Sequence, residues 1–144
     1  MRIVILGANG QLGRELQRAV PHEWSVQAVA SSDCDLTNHK AIERLISEIA
    51  PDAVVNCAAY TAVDQAETER ETADAVNWLA VENLARAAAT AGAALVHIST
   101  DYVFDGESCT PYRESDPTAP INHYGAGKLR GEQEIGRASC RERV

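Results

Sequence analysis

Tyr124 and Lys128 stand four residues apart in the run Tyr124-Gly125-Ala126-Gly127-Lys128. On a helix, that spacing puts both side chains on one face, one turn apart. A lysine ammonium beside a phenol favours the phenolate, so such a tyrosine can give and take a proton. The spacing alone is common on solvated helices. It gains weight from the other end of the chain, where Gly7, Gly10 and Gly13 follow the apolar run Ile3-Val4-Ile5-Leu6 and open a helical stretch. Glycines in that setting permit a tight turn, bring backbone amides close to a pyrophosphate and let a helix pack closely on a sheet. The spacing is G-x-x-G-x-x-G rather than G-x-G-x-x-G, and nucleotide binding is favoured over a purely structural turn.

Three further stretches carry candidate groups. An acidic residue at the end of the second strand would hold an adenosine ribose 2′-hydroxyl and favour NAD. Here that strand runs into Val29-Ala30-Ser31-Ser32, with no carboxylate until Asp33. Ser31 and Ser32 tolerate a 2′-phosphate but no arginine clamps one, so NADH and NADPH both stay open, the serines leaning to NADPH. Asp35 and Leu36 either edge the adenine or form the turn into the next helix. Asn56-Cys57-Ala58-Ala59-Tyr60-Thr61-Ala62-Val63-Asp64 begins at the end of the third strand, where small residues let a cofactor lie against the backbone. Tyr60 is either a contact or a rim aromatic. Ser99-Thr100-Asp101 ends the fourth strand, and a hydroxyl there can hydrogen-bond a carbonyl under reduction.

The elements that must position these groups alternate along the chain. Apolar runs at Ile3–Leu6, Ser25–Val29, Ala53–Cys57 and Ala94–Ser99 predict strands. Helices are predicted over Arg14–Val20, from a Thr37 or Asn38 cap to Pro51, and as one long alanine-rich helix from Thr68 to Ala91 with Gly92 as its C-terminal cap. Alternation at this pitch predicts an α/β fold with a doubly wound parallel sheet of right-handed βαβ units. Residues 100–122 carry Gly106, Pro111, Pro117 and Pro120 without a period. A loop of that length after a strand's C-terminal end is expected to face substrate.

The chain has 144 residues, 45% hydrophobic and 24% charged, which suits one globular domain. A net charge of −8 argues against a general nucleic-acid or anionic-membrane binder. No apolar run approaches the ~20 residues of a membrane span. Cys34, Cys57, Cys109 and Cys140 lie far apart, without metal-ligand spacing, and read as thiols of a cytoplasmic protein.

Taken together, Gly7-Ala8-Asn9-Gly10-Gln11-Leu12-Gly13, Asn56–Asp64, Ser99-Thr100-Asp101-Tyr102-Val103-Phe104-Asp105-Gly106 and Tyr124–Glu132 resemble the N-terminal half of the RmlD-like sugar-nucleotide reductases, a branch of the extended short-chain dehydrogenase/reductases. That resemblance implies a Rossmann-type fold and hydride transfer from NADPH or NADH to the 4-keto carbon of dTDP-4-dehydro-L-rhamnose. It makes Tyr124 the proton donor and Lys128 the residue that tunes it and binds the nicotinamide ribose. Thr100 hydrogen-bonds the keto oxygen, and Thr100 and Asp101 face the sugar. Gly7, Gly10, Gln11, Leu12, Gly13, Asp35, Leu36, Ala59, Tyr60 and Thr61 line the cofactor. Partners follow as a nucleotide-sugar substrate, no nucleic acid, no membrane and, in a full-length parent, a homodimer left open. Other readings are a non-catalytic subunit like the regulatory partner of methionine adenosyltransferase, or a related nucleotide-sugar epimerase or dehydratase. Relatives run to about twice this length, so residues 1–135 are expected to form an incomplete cofactor domain and 136–144 a non-native tail. An unfinished sheet edge would then bring aggregation, weak cofactor binding and little catalysis.

Overall fold

The computed structural model describes residues 1–138. β1 (Arg2–Leu6) leads into α1 (Gln11–Ala19), β2 (Ser25–Val29), α2 (His39–Ile49) and β3 (Ala53–Asn56). Two short helices follow, α3 (Val63–Ala66) and α4 (Arg70–Asp74). A π-helical segment (Ala75–Leu79) then joins α4 to α5 (Ala80–Ala91). β4 (Ala94–His97), a 3₁₀ turn (Asp101–Val103) and α6 (His123–Ala138) complete the described chain.

All strand pairs are parallel, in the order β2-β1-β3-β4. The first crossover therefore goes to one side of β1 and the second to the other. The chain reverses direction across the sheet between β1 and β3, where open α/β sheets hold ligands beyond their carboxyl ends. Val4, Leu6, Val54 and Leu95 share one face and pack with Ile42 and Ile46 of α2 and Leu84 and Ala87 of α5. Ile3 and Ile5 point the opposite way and are also buried, and α1 packs on β1 and β2. Helices on both faces explain why β1 is an unbroken apolar run. β4 lies at a sheet edge, where Val96 and Ile98 are each 40% exposed and no further strand pairs with it among the described residues.

Asn38 caps α2, its Oδ1 accepting from Lys40 N at 3.1 Å and Ala41 N at 3.3 Å. Gly92, at φ 70°, ends α5 in the left-handed region, as expected from its position. Three expectations shift. α1 begins at Gln11, so Gly13 lies inside the helix rather than before it. β3 and β4 end at Asn56 and His97, short of the predicted limits. The long helix is interrupted by π-helical geometry at Ala75–Leu79, where α6 crosses it closely. Of the proposed tail, Gly136, Arg137 and Ala138 continue α6, and the remainder lies outside the described residues.

Glycines make that crossing close. A Cβ on Gly131 would sit 2.5 Å from the carbonyl oxygen of Asn77, and one on Gly127 would sit 3.4 Å from Asp74 Oδ1. Gly136, on the same helix, has nothing within 4 Å of that position. Gly131→Ala is expected to cost about 1–3 kcal/mol through overpacking. Gly136→Ala is expected to gain up to about 1 kcal/mol from helix propensity. Urea denaturation of the two variants checks the pair, and equal midpoints would refute the close crossing.

Candidate active site

The glycine turn is built by mutual exclusion of side chains. Gly7 takes φ 76°, and a Cβ there would lie 2.7 Å from Ala58 N and 2.9 Å from the carbonyl carbon of Cys57. A Cβ on Gly13 would lie 2.3 Å from Gly7 O. Gly10 N donates to Gly7 O at 3.0 Å and closes the turn. Gly10 is also the N-cap of α1 and offers no side-chain cap, so the first amides of that helix are left for another acceptor.

Beside this turn lies a cavity of about 640 Å³, walled by the ends of β1, β2 and β3. Gly7, Gly10, Gln11, Asp35, Leu36, Ala59, Tyr60 and Thr61 line it, together with Ser31, Cys57 and Ala58. Leu12, exposed in the first turn of α1, and Gly13, buried beneath it, do not. Asp35 does more than border the cavity. Its Oδ1 accepts from Thr37 N at 2.9 Å and Thr37 Oγ1 at 2.7 Å, which forms the turn into α2. Those bonds hold its carboxyl below the usual carboxylate range. Of the two roles left open for Asp35, these bonds make the turn into α2. Asp33 is committed elsewhere, its Oδ2 accepting from Ala30 N at 2.9 Å.

Tyr60 is fixed by a residue that sequence reasoning passed over. Asn77, 1% exposed in the π segment, accepts from Tyr60 N at 2.9 Å and donates to Tyr60 O at 3.0 Å. The Tyr60 hydroxyl donates to Glu69 Oε2 at 2.8 Å, and that bond raises its pKa. A polar residue inside an alanine-rich helix was the available signal. Asn77→Ala leaves both main-chain groups of Tyr60 without partners, so a loss of about 2–4 kcal/mol is expected by denaturant titration.

Tyr124 and Lys128 lie on α6, one turn apart as the spacing predicts, and both are buried. Tyr124 meets Tyr102 edge-on, ring centroids 5.6 Å apart and planes at 84°. Gly125 permits that contact, since a Cβ there would lie 2.1 Å from Tyr102 O. Thr100 and Asp101 stand at the start of the same 3₁₀ turn. Thr100 Oγ1 accepts from Tyr102 N at 3.3 Å, and its hydroxyl faces Asp101 Oδ1 at 3.3 Å. The loop beyond folds on itself through Phe104 stacked on Tyr112, ring centroids 4.3 Å apart. The Tyr112 hydroxyl donates to Asp105 Oδ1 at 2.6 Å.

Lys128, only 2% exposed, donates from Nζ to Ile98 O at 2.6 Å and lies 3.2 Å from His97 Nε2. The Tyr124 hydroxyl is not among its partners. Burial lowers the Lys128 pKa to about 8, against a smaller opposing pull from Glu132. Burial, then the charge of Lys128, lowers that of His97 to about 3. A His97 that stays neutral in the native state but protonates near 6.5 when unfolded leaves the unfolded chain holding more protons between those values. Stability from this group is present above pH 6.5 and lost as pH falls toward 3. His97→Gln is therefore expected to flatten the fall in urea midpoint between pH 6.5 and about 5, above most of the carboxylate range.

A glycine turn on a parallel sheet of this order, with Tyr124 and Lys128 on a helix beside the end of β4, defines a Rossmann-type α/β fold. The chain belongs to the family described as RmlD substrate binding domain, which it matches over residues 1–144. It is 48% identical over 135 residues to dTDP-4-dehydrorhamnose reductase of Burkholderia thailandensis, covering 94% of this chain and 45% of that one. Among solved structures it superposes on dTDP-4-dehydrorhamnose reductase of Bacillus anthracis in complex with NADP, with TM-score 0.93 and 43% identity, covering 95% of this chain and 49% of the other. A Clostridium acetobutylicum dTDP-4-dehydrorhamnose reductase ortholog gives TM-score 0.94 at 44% identity, covering 96% and 50%. The chain thus spans about half the length of the relatives it matches. Among the described residues no helix is long and apolar enough to cross a membrane.

Proposed function

We propose that this chain is the cofactor-binding part of an NAD(P)H-dependent reductase. The parent enzyme reduces the 4-keto group of dTDP-4-dehydro-L-rhamnose to give dTDP-L-rhamnose. The observation that carries the reading is the placement of Thr100 and the Tyr124–Lys128 pair at the end of β4, two strands along the same carboxyl edge from the glycine turn of β1. The turn and cavity fit a dinucleotide. The uncapped first turn of α1 suits a pyrophosphate, and the space left by Gly7, Gly10 and Gly13 lets backbone amides reach it. Gln11, Ala59, Tyr60 and Thr61 would flank the cofactor, and Asp35 and Leu36 the adenine. Ser31 on the cavity wall, with Asp33 turned to Ala30 N, supports acceptance of a 2′-phosphate and hence NADPH.

When bound, the nicotinamide supplies the hydride. Tyr124 gives its phenolic proton to the oxygen that becomes the new alkoxide, and the Thr100 hydroxyl donates a hydrogen bond to the same atom. Lys128, one helical turn on, favours the ionised tyrosine left behind and binds the nicotinamide ribose. Asp101 faces the sugar hydroxyls. The free thiols of Cys34, Cys57 and Cys109 support a reducing compartment such as the cytoplasm.

The test is oxidation of NADPH with dTDP-4-dehydrorhamnose by a chain carrying the relatives' full length. Tyr124→Phe is expected to lower kcat by about 10²–10⁴, the range for loss of a general acid. Turnover unchanged in that variant, or no turnover with the keto sugar, would overturn the reading.

A further inference from the structure

We propose that the groove between α2 and α5 is a binding site for a small organic phosphate, distinct from the dinucleotide cavity. The groove encloses about 660 Å³, within the range of small-molecule sites. Its wall shares no residue with the cavity at the ends of β1, β2 and β3. The floor is apolar. Ile46 and Ala87 are buried parts of the core beneath it, and Ala50 and Ala91 extend it toward the C-terminal ends of the two helices. Three of these four residues are alanines, so little side-chain volume rises from the floor.

The rim is cationic. Lys40 and Arg44 stand one turn apart on α2, and Arg86 borders the groove from α5. That grouping runs against the balance of the chain, which has 13 lysines and arginines to 21 aspartates and glutamates. Like charges at this helical spacing repel. Neither Lys40 nor Arg44 has a carboxylate within ion-pair distance among the described residues. Arg86 is paired with Glu82 at 2.5 Å, and Glu43 is the one carboxylate on the wall. Three cations therefore face one carboxylate across the groove, and a bound dianion relieves their repulsion.

The chemistry of the wall selects the ligand and its direction. Two guanidinium groups suit phosphate oxygens, which they can hold in pairs. Ser47 and Thr90 also line the groove, but their hydroxyls already donate to Arg44 O and Arg86 O, each at 2.9 Å. The donors for the phosphate are therefore the cations. Lys40 lies in the first turn of α2, where the helix dipole favours an anion, whereas Ala50 and Ala91 lie at helix C-terminal ends, where it does not. The phosphate is thus directed to Lys40 and Arg44, and the apolar part of the ligand to Ala50, Ala87 and Ala91.

The experiment is an NMR titration of the full 144-residue chain, labelled with ¹⁵N, at low ionic strength. The probe is phenyl phosphate, with inorganic phosphate and phenol as its separate halves. Phenyl phosphate is expected to give saturable shifts of the Lys40, Arg44, Ser47, Arg86 and Thr90 amides. Neither half alone is expected to match its affinity. Absence of saturable shifts there overturns the proposal, as do shifts confined to Gly10 and Gln11 at the dinucleotide cavity. Equal affinity for inorganic phosphate or phenol overturns it too. Arg44→Glu, at an exposed position, is expected to weaken binding about tenfold or more, and unchanged affinity overturns the proposal. Lys40→Glu, equally exposed, gives the same reading where Arg44→Glu does not fold.

Discussion

The contact between Gly7 and the backbone leaving β3 is the constraint on which the site depends. β1 must turn at its carboxyl end while β3 delivers Cys57 and Ala58 alongside, and the two main chains approach so closely that any side chain on Gly7 would strike Ala58 N. Gly13 extends the same logic, packing α1 onto the Gly7 carbonyl. The helix axis is thereby aimed at the crevice between β1 and β3, its uncapped amides foremost. Reversal of winding at β1 opens the crevice, and the glycines let backbone rather than side chains line it.

A second close approach sets the chemical end. α6 lies low over the π segment because Gly127 and Gly131 remove the side chains that would hold it off, and Gly125 does the same against Tyr102 O. The π segment in turn presents Asn77 inward, where both of its polar ends hold the main chain of Tyr60. One helix crossing therefore positions Tyr124 and Lys128 and, through its neighbour, a wall of the cofactor cavity. His123 and Arg130 fasten the same region, both meeting the carboxylate of Asp74, at 3.0 and 3.4 Å.

Much of this was legible in the sequence because it rests on local patterns. Apolar runs marked four strands, Gly92 marked a helix end, and the glycine spacing after β1 marked the turn. Tyr124 and Lys128 shared a helix face because four residues make about one turn. What escaped depends on contacts distant in sequence. The break at Ala75–Leu79 lies where α6, about fifty residues on, crosses the helix, and nothing in an alanine-rich run announces that contact. Asp35 was read as either an adenine contact or the turn into α2, and its bonds to Thr37 make the turn while its side chain borders the cavity. His97 and Asn56 read as strand residues, and their bearing on Lys128 appears only when β3, β4 and α6 are brought together.

Those polar residues also show what the interior trades for geometry. Asn56, Asn77 and Lys128 are nearly sealed from water, and each buried polar group carries a desolvation cost that a hydrogen bond only offsets. Apolar side chains of similar size would pack at less cost, but they have no direction. An amide with one oxygen and one NH₂ group fixes donor and acceptor sense on both sides at once, which Asn77 does for Tyr60 and Asn56 does between Ala58 and His97. Because each of these amides is satisfied in only one sense, the orientation at the cavity wall is carried inward to the His97 ring. Hydrophobic packing alone would bring the same helices together without fixing the sense of a single hydrogen bond.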